Sequence, residues 1–141
     1  MYKHCSKVRV RYGETDQMGY VYYGNYPLYY EVGRVEAMRN IGIPYRLLEE
    51  NGVMLPVKTM EIQYRAPALY DDELTIETII SEMPNSRMTF EHRVLNEKGI
   101  LLNTAKLVLV FVDSKTKRPT PMPQWIEDIV APYFSNRNRD D

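Results

Sequence analysis

"NYPLYYEVGRVEAMRNIG", residues 25–42, changes the period of a chain that otherwise alternates. Leu28, Val32, Val35 and Met38 return at three- and four-residue steps. Pro27 suits a first helical position and Gly42 suits a C-terminal cap, so the spacing predicts one long helix over 25–41, with those four residues as its apolar stripe. Outward from it in both directions the pattern is that of strands. Residues 7–12 alternate Lys7, Arg9 and Arg11 with Val8, Val10 and Tyr12, a period of two with one wet face. After the helix a short second one is expected from Pro44 to Asn51, closed by Gly52 and covering one edge of the sheet.

From about residue 56 the alternation returns, with Met60, Ile62, Tyr64 and Ala66 on one face and Glu61, Gln63 and Arg65 on the other. Leu74, Ile76 and Ile80 lead to the turn Pro84-Asn85-Ser86, and Met88, Phe90 and Val94 carry the pattern back, which reads as an antiparallel hairpin. A second turn at 96–99 precedes "ILLNTAKLVLVFV" (100–112), apolar on both faces toward its end, as in a central strand with cover on both sides. The tail from Pro119 offers a turn or two of amphipathic helix around Trp125, Ile126 and Ile129. It closes with "SNRNRDD" (135–141), expected to be a flexible tail. The sum is an α+β domain with a five-stranded antiparallel sheet and one long central helix. One helix covers only one face of such a sheet, so the second face and the edges need another partner, and homo-oligomerisation is the economical solution.

Length and composition narrow the function. A chain of 141 residues holds one domain with a real core. With 18 Lys+Arg against 19 Asp+Glu it carries no field that would gather nucleic acid or an anionic membrane. The single cysteine, Cys5, excludes an internal disulfide, and the N-terminus has no apolar core of signal-peptide length, so a reducing, cytoplasmic setting is expected. The longest apolar stretch, 107–112, is far short of a membrane span, and a soluble protein is expected.

One short acidic turn stands out: "TDQMGYVYYGNY" (15–26), just ahead of the helix and within a stretch, 11–34, that holds seven tyrosines. Asp16 there has an ordinary reading, a turn residue whose side chain accepts backbone N–H groups, and a chemical one. Glu14 reads as a solvated turn residue and Glu31 as a dipole or ion-pair partner in the helix's first turns. His92 lies on the Met88, Phe90, Val94 side of its strand and reads as a packed, hydrogen-bonded histidine, while His4 belongs to the N-terminal arm. Two distant histidines and one cysteine make no metal site, and none is expected.

Asp16, Gly19, Tyr23 and Asn25, taken with the order of elements, resemble the hot-dog thioesterases of the 4-hydroxybenzoyl-CoA thioesterase family, including its bacterial acyl-CoA thioesterases. "YRAPALYDDEL" (64–74) and "VFVDSKTKRPTPMP" (110–123) are similar to further stretches of that family, and the likeness runs over most of the chain. The resemblance implies a hot-dog domain over 1–134, whose sheet wraps around the helix. It also implies a homodimer or homotetramer with active sites at the dimer interface. Gly24 departs from the pattern, since relatives often carry His or Pro there.

Under that resemblance the chain would hydrolyse an acyl-CoA to a carboxylic acid and free CoA, with no separate cofactor, because CoA is part of the substrate. Thioester hydrolysis needs a nucleophile or base and donors aimed at the carbonyl oxygen. As a carboxylate Asp16 could attack the carbon or activate water, and both routes stay open. The leaving thiol, with a pKa of roughly 8.5 if it resembles cysteine, needs no strong general acid. The first N–H groups of a helix have no internal partner and sit at its positive end. The resemblance makes the Tyr23 backbone N–H the donor to the carbonyl, aided by Gly24, with the Tyr23 ring as an aromatic wall. Asn25 either orients the carbonyl or water or ties the turn together. Arg87 and Arg118 are the nearest fits to basic positions that meet CoA phosphates. The alternatives are hydrolysis of thioesters on acyl carrier protein, or a non-catalytic acyl-CoA-binding protein. A hot-dog dehydratase would carry a helix-associated histidine, and this helix has none.

Overall fold

A computed structural model describes residues 1–134; the expected tail, 135–141, lies outside the described residues. The chain runs β1 (Tyr2–Arg9), α1 (Tyr26–Ile41), α2 (Tyr45–Glu50), β2 (Val53–Met54), β3 (Val57–Tyr64), β4 (Glu73–Ile80), β5 (Arg87–Leu95), β6 (Leu101–Val110), β7 (Val112–Asp113) and α3 (Gln124–Val130). Five strands form an antiparallel sheet in the order β1-β4-β5-β6-β3, and β2 pairs with β7 in a separate ribbon. The fold class and the single long helix are those expected from the sequence.

Helix α1 starts and stops for the reasons its sequence offers. Pro27 sits in the first turn, where an N–H would have no partner. Gly42 adopts φ 109° and donates to the Met38 and Arg39 carbonyls, closing the helix in a conformation that suits glycine. Of the four residues of the aliphatic stripe, however, only Met38 is buried. Leu28 is 54% and Val32 40% exposed, whereas Tyr26, Tyr29, Tyr30, Gly33, Ala37 and Met38 are buried against the sheet. Tyrosines can take this role because their hydroxyls find partners: Tyr29 donates to Glu14 Oε1 at 2.8 Å and Tyr30 to Asn103 Oδ1 at 2.5 Å. Gly33 lets the helix settle close to β4, since a Cβ there would lie 2.6 Å from Thr78 Oγ1 and 2.7 Å from Ile76 Cγ2.

Three strand expectations change. The first strand is Tyr2–Arg9 rather than 7–12. It pairs with β4 throughout, and Tyr2 anchors it by donating to Asn40 Oδ1 and the Ala37 carbonyl. Its inward residues include His4 and Ser6, so polar side chains masked the early half of the alternation. The strands β3 and β4, consecutive in sequence, do not pair: β3 crosses to the far side of the sheet and bonds β6, leaving β3 as an edge. Helix α2 packs against α1 and the β2–β7 ribbon instead of covering that edge. Finally, β6 buries Ala105, Leu107 and Leu109 beneath the helix layer, but its other face carries Lys106 in register with Glu91 of β5 and Glu61 of β3. Among the described residues no element covers this charged outer face.

Candidate active site

A cleft of about 340 Å³ opens where the loop before α1 meets the end of β3, lined by Asp16, Met18, Tyr20, Val21, Tyr23, Tyr26 and residues 64–67. The loop wall is built by an Asx turn. Asp16 Oδ1 accepts the N–H of Met18 at 2.9 Å and of Tyr20 at 3.2 Å, while the Asp16 N–H donates to the Tyr20 carbonyl and Gly19, at φ 80°, returns its own N–H to the Asp16 carbonyl. The ordinary reading of Asp16 is thus present, but it uses only Oδ1. No hydrogen bond to Oδ2 occurs among the described residues, so the carboxylate keeps one oxygen for the cleft.

The base of this loop is held by Glu14, which is a half-buried brace and not the solvated turn residue expected from the sequence. Its carboxylate receives the Arg11 N–H at 2.8 Å, the Arg11 guanidinium at 2.9 Å and the Tyr29 hydroxyl at 2.8 Å. Burial pushes the Glu14 carboxyl up, but the bonds from Arg11 and Tyr29 together outweigh it and hold the carboxyl below the usual range. Opposite the same bond, burial and the Glu14 carboxylate hold the Tyr29 phenol far above its ordinary value. The Glu14 carbonyl receives the Tyr22 N–H and the Asn25 side-chain amide at 2.9 Å. The Asn25 Nδ2 therefore ties the turn together.

Tyr23, Gly24 and Asn25 form a 3-10 turn that runs directly into α1. Among the described residues, neither the Tyr23 nor the Gly24 N–H reaches an acceptor outside that turn, and a single such turn bonds only later N–H groups back to earlier carbonyls. The Tyr23 carbonyl accepts the Tyr64 hydroxyl at 3.1 Å, which fixes the Tyr23 peptide from the β3 side. The Tyr23 ring lies against Tyr22 and Tyr64 at centroid distances of 4.6 and 6.5 Å, and forms an aromatic wall. Gly24 passes close under the Tyr22 ring, where a Cβ would come within 2.8 Å of Cε2.

Arg87 and Arg118 are not at this cleft in the protomer. Arg87 pairs with Val110 while Tyr64 pairs with Asn103, seven positions along β6, or about 23 Å at roughly 3.3 Å per residue. Arg118, whose carbonyl accepts the Asp113 N–H next to β7, belongs to that same far end. His92 is buried beneath Tyr30, with Nδ1 3.1 Å from Thr78 Oγ1; burial, then the neighbouring Arg34 charge, lowers its pKa to about 4. Glu31 is exposed and forms no ion pair among the described residues. Among the described residues there is no group of three or more side chains suited to a metal, and no helix long and apolar enough to cross a membrane.

Local sequence does not single out Glu14 as a brace, nor Tyr64 and Arg65 as cleft residues. Tyr64 and Arg65 open the stretch "YRAPALYDDEL" that resembles the family, but that likeness gives them no role, and a half-buried glutamate carries no motif; their roles depend on which loop lands beside them.

The thioesterase-like superfamily matches this chain over residues 10–130. Acyl-CoA thioester hydrolase YbgC of Escherichia coli O6:H1 is 36% identical over 119 residues, covering 84% of this chain and 89% of that protein. Acyl-CoA thioesterase YbgC of Haemophilus influenzae is 33% identical over 121 residues, covering 85% and 88%. Among solved structures, DHNA-CoA thioesterase from Staphylococcus aureus superposes with a TM-score of 0.87 at 27% identity, covering 94% of this chain and 89% of that one.

Proposed function

Because the chain belongs to the thioesterase-like superfamily, we propose that it is an acyl-CoA thioesterase that hydrolyses a CoA thioester to a carboxylic acid and free CoA at the Asp16–Tyr23 cleft. The observation that supports the reading is that one cleft is lined both by Asp16, whose carboxylate has an uncommitted oxygen, and by Tyr23 at the leading end of a helix, whose backbone N–H has no acceptor outside its turn among the described residues. The thioester carbonyl sits against the Tyr23 N–H, helped by Gly24, where the partial positive charge of the helix start favours the developing oxyanion. Asp16 Oδ2 attacks the carbonyl carbon or takes a proton from the attacking water. The thiolate then leaves without a strong general acid, and the cleft needs neither metal nor cofactor. Gly19 gives the Asp16 turn its shape, and Asn25 holds the loop to Glu14.

The active unit in this reading is a homodimer built on β3, and dimers could pair further into a tetramer. Among the described residues the outer edge of β3 is unpaired, and seven of its eight residues are exposed. Such an edge is normally covered or used. Antiparallel pairing of two β3 edges lays the beginning of one β3 beside the end of the other, which brings the partner's basic end, with its copies of Arg87 and Arg118, toward this cleft. CoA phosphates would then be met across the interface. Exposed Cys5, without a disulfide partner, suits a reducing, cytoplasmic setting.

The test is thiol release from a panel of acyl-CoA esters, run alongside the same acyl groups on carrier protein. Turnover of CoA esters supports the reading. A much larger kcat/KM for the carrier-linked thioesters makes carrier protein the substrate, and tight acyl-CoA binding without turnover makes the chain a binding protein.

A further inference from the structure

The end of β3 breaks the alternation of a strand. The N–H groups of Arg65 and Ala66 both donate to the Leu102 carbonyl, at 2.8 and 3.0 Å, which is the bonding pattern of a β-bulge. A regular pleat sends neighbouring residues to opposite faces. Here Tyr64, Arg65, Ala66 and Pro67 all follow one wall of the cleft. Bulges beside sites commonly re-aim a side chain in this way. Among the cleft-lining residues only Asp16 and Arg65 carry charge, and Arg65 is exposed and enters no ion pair among the described residues.

Hydrolysis at this cleft brings negative charge to three places: Asp16, the carbonyl oxygen and the departing sulfur. The loop supplies N–H groups for the oxygen but nothing for the sulfur, and the Tyr64 hydroxyl is spent on the Tyr23 carbonyl. The wall opposite the loop carries the one cation. Resting on the hydrolase reading above, we propose that Arg65 is a further catalytic residue, its guanidinium meeting the sulfur as it leaves. The carbon–sulfur bond breaks, its electron pair goes to sulfur, and the acyl carbon keeps the oxygen delivered with the help of Asp16. The thiolate departs beside Arg65 and takes its proton from water. Arginine suits the role because it stays protonated at any working pH.

The experiment compares the wild-type chain with Arg65→Met and Arg65→Lys on three thioesters of one acyl group: the CoA ester, the pantetheine ester and the ester of a nitro-substituted aryl thiol, whose thiolate leaves without help. Arg65→Met is expected to lower kcat roughly 100-fold on the CoA and pantetheine esters and to change the aryl thioester little. Arg65→Lys, which keeps a charge but not the fork, should fall between. An equal loss on all three thioesters, a loss on the CoA ester alone, or no loss anywhere would overturn the proposal. Absence of turnover by the wild-type chain on every ester would instead remove the hydrolase reading itself. Because Arg65 is exposed, circular dichroism and the melting temperature of both variants should match the wild type.

Discussion

The Tyr64 hydroxyl reaches across from the end of β3 and donates to the Tyr23 carbonyl at 3.1 Å, so an edge strand holds the peptide that leads into α1. That peptide carries the Gly24 N–H and adjoins the Tyr23 N–H, the donors of the proposed mechanism. Tyr64→Phe should therefore lower kcat about tenfold, the worth of roughly one hydrogen bond, while leaving the melting temperature nearly unchanged, because Tyr64 is half exposed. Unchanged kcat in steady-state assays would mean that the Tyr23 peptide is fixed without it.

Asp16→Asn keeps an oxygen that can accept the Met18 and Tyr20 N–H groups but loses the charge. Turnover should fall by roughly 10²-fold or more with native circular dichroism. Asp16→Ala should add a loss of stability of about 1 kcal/mol, because the turn then loses its acceptor. A near-native rate in Asp16→Asn would exclude the carboxylate from the chemistry.

Acid should weaken the fold in two stages. His92 is pushed down to about 4 by burial and by Arg34, while its unfolded counterpart titrates near 6.5. The unfolded chain thus binds more protons between those values, and stability falls as pH drops from about 6.5 toward 4. Glu14, held below the usual carboxylate range, adds a second loss as pH falls below about 4.3, its unfolded value. Denaturant melts across pH should show both stages. Glu14→Gln should remove the second, and a proton NMR titration should find His92 neutral at pH 6.

Gly33→Ala would put a methyl group 2.6 Å from Thr78 Oγ1 and 2.7 Å from Ile76 Cγ2. Alanine is otherwise the better helix former, so propensity alone predicts stabilisation of about 1 kcal/mol. Overpacking of a helix–sheet contact costs about 1–3 kcal/mol and should win, giving a lower melting temperature by calorimetry.

Met60→Glu introduces a charge on the inward-facing side of β3, where Met60 is 36% exposed in the protomer. If β3 edges join two subunits, sedimentation should show dissociation, with activity lost alongside. Arg87→Ala should then raise KM for CoA esters without changing kcat, since its part in this reading is to meet CoA phosphates across the interface and not the bond being broken.

Much of this molecule is legible in its local sequence, because local sequence governs period, caps and turns. Pro27 and Gly42 bound a helix wherever it lands, the Pro84-Asn85-Ser86 turn makes a hairpin of its flanks, and Asp16 with Gly19 makes the same turn in almost any surroundings. Tertiary structure decided the rest, through contacts between residues far apart in the chain. Which side of α1 is buried was settled by partners for the Tyr29 and Tyr30 hydroxyls, Glu14 and Asn103, and by the space that Gly33 leaves over β4. Aliphatic spacing therefore found Met38 but missed the tyrosines that make up much of the buried face. That β3 passes over β4 to pair with β6 depends on sheet order, which alternation alone does not encode, and it is this crossing that delivers Tyr64 and Arg65 to Tyr23. The loop that carries Asp16 and Tyr23 is written in a dozen consecutive residues, but the wall facing it was chosen by packing.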